Sequence, residues 1–144
     1  MALDEQAAFR DIGLPDDLIR AAKADLPFPA LLEAQSRIID LMAGDRDLAE
    51  ILSEITKLVE QLAPPALCSI LLMQLDGQHL RIGAAPSLPE PYNRIVEGLE
   101  IGPCVGSCGT AAYRRQAVIV SDIATDPLWQ VPRDFTLAVG LRAC

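Results

Sequence analysis

Histidine is nearly absent from the sequence: His79 stands alone among 144 residues. That leaves few nitrogen ligands for a metal and no second imidazole for acid–base work. Cys104 and Cys108 have a spacing that zinc tolerates, but Cys68 and Cys144 are scattered singles, so no second pair completes a site. The four cysteines match no secreted disulfide framework and are expected as reduced thiols. A basic stripe is missing as well. Residues 1–63 carry 13 acidic and 6 basic side chains, the whole chain has a net charge of −8, and nucleic acid is not an expected partner. No apolar run reaches the roughly 20 residues of a membrane span; the longest, APPALCSILLMQL, is interrupted by Pro64, Pro65 and Gln74. The start, MALDEQAAFRDIG, has neither the basic end nor the apolar run of a secretory signal. The expectation is a cytoplasmic protein with no membrane partner.

What is present is a half-apolar chain, enough for one domain with a real core. Residues 1–28 read as a helical extension, with a short helix over PDDLIRAAKA and a break at the prolines of DLPFPA. Residues 29–144 form the domain. Leu31, Ala34, Ile38, Leu41 and Met42 share one helical face before Gly44. Asp47 and Glu50 resemble a capping box. Behind them Leu48, Ile51, Leu52, Ile55, Leu58, Val59 and Leu62 make a broad apolar stripe, read as core or helix–helix packing.

The period then changes. ALCSILLMQL reads as a strand apolar on both faces and therefore buried, Asp76-Gly77 as a hairpin turn, and HLRIGAA as the returning strand, with His79 a solvated residue at its edge. A short helix in SLPEPYNRIVEGLEIG, a strand in AVIVSDI, a proline-marked loop and a last helix leading into GLRAC complete the pattern. Helices first, then a hairpin, then helices alternating with short strands give an α+β class with a mostly antiparallel sheet.

The chemistry concentrates in GPCVGSCGTAAYRR, residues 102–115. A phosphate-cradling P-loop needs a lysine after its second glycine, and none stands here. The glycine spacing also misses the dinucleotide fingerprint. Ser107 reads as an N-cap, with Arg114 and Arg115 at the negative end of the helix that follows. The N–H groups of 107–110 then face either an anion or carbonyl, or water. Cys108 falls in the first turn, where a lowered pKa and faster alkylation than Cys68 are expected; the alternative is a small buried side chain.

IGPCVGSCGTAAYRRQAVIVSDIATDPLW…GLRAC closely resembles the GAF sensor domain, in the version found in bacterial histidine kinases and cyclic-di-GMP turnover proteins. The likeness covers about residues 31–144 and rests on G-S-C-G-T-A-A, V-x-V-x-D-I and D-P-L-W in order. It implies a GAF/PAS-like antiparallel sheet flanked by helices, a homodimer through its helices, and a pocket for an unknown small molecule bordered by Ser107, Cys108, Thr110, Asp122 and Trp129. Asp122 serves equally well as a backbone cap at a strand end. The family pattern continues past GLRAC with W-S-x-P-I and two further strands. The resemblance therefore implies a domain incomplete at its C-terminus, with an output domain beyond.

The chain departs from several specialised members. It lacks the cyclic-nucleotide signature and the Cys-His pair of bilin-binding relatives. Free methionine sulfoxide reductases share the C-G-T element, matched at Cys108, but add a cysteine where this chain reads DPLWQVPRD. The residues name no cofactor. The reading is a non-catalytic small-molecule or redox sensing domain. A thiol-based sulfoxide reductase, for which only Cys104 is near in sequence as a second thiol, and a ligand-free dimerisation module are the alternatives.

Overall fold

The computed structural model describes residues 28–130 and 133–144, and the side chains from residue 33 onward. The helix expected over residues 15–24 lies outside them. Two helices come first: α1, Phe28–Ala43, and α2, Leu48–Leu62. They pack on each other, and α2 also lies against the sheet. Asp47 is the N-cap of α2, as expected, but its carboxylate makes no capping bond. The first turn closes instead through the Ile51 N–H donating to the Asp47 carbonyl at 3.1 Å. Thr56, fully buried on this helix, satisfies its hydroxyl by donating to the Ser53 carbonyl at 2.8 Å.

Near the end of α2, Glu60 ties three segments together. Its carboxylate accepts the Cys68 N–H at 2.8 Å and the Ser87 hydroxyl at 2.6 Å, so one side chain anchors the entry to the first strand and the exit from the second. Those bonds hold its carboxyl below the usual range.

The sheet has three antiparallel strands in the order β1 (Ile70–Met73), β2 (His79–Ala84) and β3 (Leu99–Glu100). The hairpin forms where Asp76-Gly77 predicts it. Gly77 takes φ +69, and Asp76 accepts the N–H groups of Gln78 and His79 at 2.9 and 3.1 Å. The pairing skips at Gly83, because Ile70 faces Ala84 while Leu71 faces Ile82. A methyl group on Gly83 would stand 2.9 Å from Leu52, 3.0 Å from Leu72 and 3.1 Å from the Ile70 carbonyl. Only glycine lets α2 come this close to the sheet.

Two strand assignments change. β1 is an edge of the described sheet rather than a buried central strand. Its apolar residues divide between the α2 side, where Leu72 lies with Leu52 over Gly83, and a face on which Met73 is exposed. The strand expected in residues 117–123 is an interrupted ribbon. Val120 and Cys144 exchange both backbone bonds at 2.6 and 2.8 Å, and the Ile123 N–H donates to the Arg142 carbonyl at 2.8 Å. Asp122 breaks the ladder. Its carboxylate accepts the Ala124 N–H and the Thr125 hydroxyl, each at 2.9 Å, and its carbonyl accepts the N–H groups of Thr125 and Asp126, so the chain turns there.

The remaining elements are α3 (Glu90–Val96), α4 (Gly106–Arg114), a 3-10 turn over Pro127–Trp129 and α5 (Arg133–Ala138). Ile123, Val120 and Trp129 form the innermost core, with Val118, Leu128, Leu137 and Leu141 around them. Helices segregated against an antiparallel sheet make this an α+β fold. Among the described residues no helix is long and apolar enough to cross a membrane.

Candidate functional site

The turn into α4 is built by close backbone approach. Gly106 adopts φ +55 and lies under the ring of Trp129, 3.5 Å from where a Cβ would stand. A Cβ on Gly109 would meet the Val105 side chain at 2.8 Å. Thr110, fully buried, accepts the Val105 N–H on its hydroxyl at 3.0 Å and so closes the loop onto the helix from beneath. Arg114 donates to the Pro103 carbonyl at 3.2 Å, which ties the last turn to the same loop.

Ser107 is not the N-cap. The helix begins two residues earlier than that reading requires, at Gly106, with Val105 in the cap position and no side-chain cap. Ser107 is buried within the first turn, where its hydroxyl accepts the Trp129 indole N–H at 3.3 Å. Beside this bond is a small cavity of about 40 Å³. Ser107, Cys108 and Trp129 form one wall with Val105 and Gly106; Tyr92, Ile95, Val96 and Leu99, from α3 and β3, form the other. Its surface is mainly apolar. The volume takes about two or three waters and falls well short of the roughly 300 Å³ of an ordinary ligand cleft.

Of the five residues the sequence nominates, Ser107, Cys108 and Trp129 therefore line one cavity. Thr110 lies behind it as a structural bond. Asp122 is exposed, outside the cavity lining, with both carboxylate oxygens engaged in its own turn. Two contributors went unnominated: Tyr92, buried on α3, and Cys144. The ribbon pairs Cys144 with Val120 through two backbone bonds, and Cys108 and Ser107 bear on its thiol electrostatically. The GLRAC segment was the available signal, but its partner is fixed only by the tertiary fold.

The electrostatics reverse one expectation. Cys108 was expected to be the acidified thiol; its pKa is raised, first because its S–H is held in a hydrogen bond to Cys144 and then by burial. The lowered thiol is Cys144, at about 6, because Cys108 and then Ser107 donate to its thiolate, against an opposing desolvation. Burial first, and then the electrostatic influence of Cys108 and Cys144, raises Tyr92. Cys68 is raised by burial and by Glu60. Cys104 is exposed on the loop. Among the described residues no cluster of three or more metal-ligating side chains occurs.

The family model described as a GAF domain matches residues 45–143, from the start of α2 to the closing ribbon. The chain belongs to the GAF family. A curated relative, the methyl sulfide methyltransferase-associated sensor of Methanosarcina acetivorans, is 32% identical over 114 residues, which is 79% of this chain and 11% of that protein. The GAF domain described here thus spans about a tenth of that relative's length. No solved structure matches the chain.

Proposed function

We propose that this GAF domain is a regulatory sensing module without catalysis of its own, and that its sensing element is the α4 turn with the cavity it borders. The cavity carries the reading: Ser107, Cys108, Trp129 and Tyr92, from three separate segments, converge on one apolar space. Membership of the GAF family and the sensor name of the Methanosarcina acetivorans relative support it. The volume favours a very small ligand or a redox change at the wall over a large resident molecule, which would need α3 and Trp129 to part.

The signal path is packed structure. α3 contacts β2, β2 contacts α2, and α2 contacts α1. Ile39 and Met42 on α1 and Leu48 on α2 are more than half exposed at 65%, 67% and 54%. They form the face for pairing with a second copy and passing the state to an output domain. Two wall packings with different helix positions would make the sensor a population shift.

The test mimics an occupied cavity with Val96→Phe. Amide exchange in residues 33–62 is compared with that of the 74–79 hairpin, which serves as an internal reference. A several-fold selective change in α1 and α2 is expected; unchanged helices beside a visibly altered Trp129 emission would sink the reading. The lowered pKa of the Cys144 thiol also sustains a second reading, a thiol reductase with Cys144 in place of Cys104 as the second thiol. Turnover of free methionine-R-sulfoxide with a dithiol reductant, lost in Cys108→Ser, would make that reading primary.

A further inference from the structure

Tyr92 on α3 is only 8% exposed, yet its hydroxyl makes no hydrogen bond among the described residues. A buried phenol normally finds such a partner. Its oxygen is not sealed in by protein either, since Arg133 Nε is the one sealed, unpartnered side-chain atom among the described residues. An unbonded hydroxyl that is not sealed opens onto free space, and the free space that Tyr92 lines is the cavity of about 40 Å³ at the α4 turn. Burial raises its pKa, so it stands there as a neutral O–H. On the facing wall the Ser107 oxygen is already committed, accepting the Trp129 indole N–H at 3.3 Å. Among the described residues that line the cavity there is no carboxylate, lysine, arginine or histidine. Ile95 lines it as well and is 39% exposed, which gives the space a mouth beside α3.

We propose that the cavity binds a small neutral molecule of about three heavy atoms, one oxygen on a short alkyl remainder as in a short-chain alcohol, with that oxygen hydrogen-bonded to Tyr92. The volume sets the size, since it holds about two or three waters. The wall sets the charge. An ion would lose its hydration there with no countercharge to offset the loss. The free hydroxyl sets the one polar atom. A wholly apolar guest would cut Tyr92 off from water and leave it unbonded. Water itself fits poorly, because a buried water usually makes about three hydrogen bonds and this wall offers one open hydroxyl. The alkyl part then lies against Val96 and Leu99 from one side and Trp129 from the other, so an occupant touches α3 and the α4 turn together. That such an occupant is the signal rests on the sensing reading above; its binding does not.

The test titrates the 144-residue chain with ethanol, propane and acetate, which are close in size, and follows the Trp129 indole N–H and the methyl groups of Ile95 and Val96 by NMR. So few heavy atoms limit the dissociation constant to about 1 mM or weaker. Ethanol is expected to give saturable shifts at these groups, and acetate none. Tyr92→Phe keeps the ring and removes the hydroxyl; it should weaken ethanol about fivefold, the worth of one hydrogen bond, and leave propane unweakened. Val96→Phe fills the space and should abolish the saturable shifts. Acetate that saturates the same groups, an ethanol affinity untouched by Tyr92→Phe, or shifts that survive Val96→Phe overturn the proposal. Should Tyr92→Phe fail to fold, a nuclear Overhauser contact between ethanol and the Tyr92 ring in the wild type decides, and its absence at saturation overturns the site. Ethanol binding that leaves amide exchange in α1 and α2 unchanged keeps the site and removes the sensing reading. No ethanol binding, with Val96→Phe still moving the helices, does the reverse.

Discussion

The Trp129 indole N–H donates to the Ser107 hydroxyl at 3.3 Å, across 22 residues of sequence, with both side chains buried. This bond ties the first turn of α4 to the innermost core, since Trp129 packs with Val120 and Ile123. Ser107→Ala leaves the indole N–H without a partner in a buried setting. The expected loss of stability is about 1–3 kcal/mol, read as a lower denaturant midpoint at unchanged slope. A loss below about 0.5 kcal/mol would show that water replaces the hydroxyl at no cost and that the cavity is wetter than its apolar lining implies.

Local signals in the sequence located most of the elements. The α2 stripe, the Asp76-Gly77 turn and the two prolines before α3 act within one turn of chain, and the structure follows them. What failed to read from sequence depended on distant neighbours. β1 is apolar on both faces yet lies at an edge, because strand position depends on what pairs with it. β3, two residues long, has no periodicity to detect. The GSCGT and DPLW segments pointed to the cavity through Ser107, Cys108 and Trp129, whereas Cys144 joined only through a ribbon that Asp122 interrupts. The direction of the Cys108 shift was misread for the same reason: a helix start predicts acidification, but a neighbouring thiol that takes its hydrogen bond outweighs it.

Gly109 should resist substitution more than an ordinary helix glycine. Elsewhere in a helix, Gly→Ala gains up to about 1 kcal/mol. Here the new methyl carbon would stand 2.8 Å from both Cβ and Cγ1 of Val105, and Cβ is no flexible side-chain end that rotates away. Gly109→Ala is therefore expected to destabilise by about 1–3 kcal/mol and to loosen the Val105–Thr110 bond. Adding Val105→Ala should recover only part of the loss, since it removes Cγ1 and leaves Cβ. Full recovery in the double variant would place the clash elsewhere. Thermal melts of the three proteins decide.

Asp76 sets an acid limit on the hairpin. The Gln78 N–H, the His79 ring and the His79 N–H lower its pKa from 3.8 to about 2. A carboxyl depressed on folding contributes stability that is fully present above its unfolded value, near 4, and is lost as pH falls through about 2. The hairpin amides of Gln78 and His79 should thus hold their chemical shifts down to about pH 3 and move together with a midpoint near 2. A midpoint at 3.8 in an NMR titration would mean that the bonds to this exposed side chain do not persist in water. Asp76→Asn should abolish the transition.

Alkylation rates test the opposite shifts of Cys108 and Cys144. Lowering a thiol pKa from 9.0 to about 6, as at Cys144, raises its thiolate fraction at pH 7 roughly a hundredfold, while intrinsic nucleophilicity falls by roughly twentyfold, a net gain of several-fold over an ordinary thiol. Cys68 is shifted the other way and is less accessible, so the gap to it widens to about tenfold or more. Cys108 should be slow, because its proton is the one the pair retains. The expected order with iodoacetamide at pH 7 is Cys144 well ahead of Cys108 and Cys68, with the Cys144 rate rising through a midpoint near pH 6. Cys108→Ala removes the main donor to that thiolate. The midpoint should then move up towards that of a free thiol, held back only by Ser107. A Cys144 midpoint that stays put in Cys108→Ala would assign the shift to Ser107 alone, and a Cys108 that labels first would restore the helix-start expectation over the thiol contact.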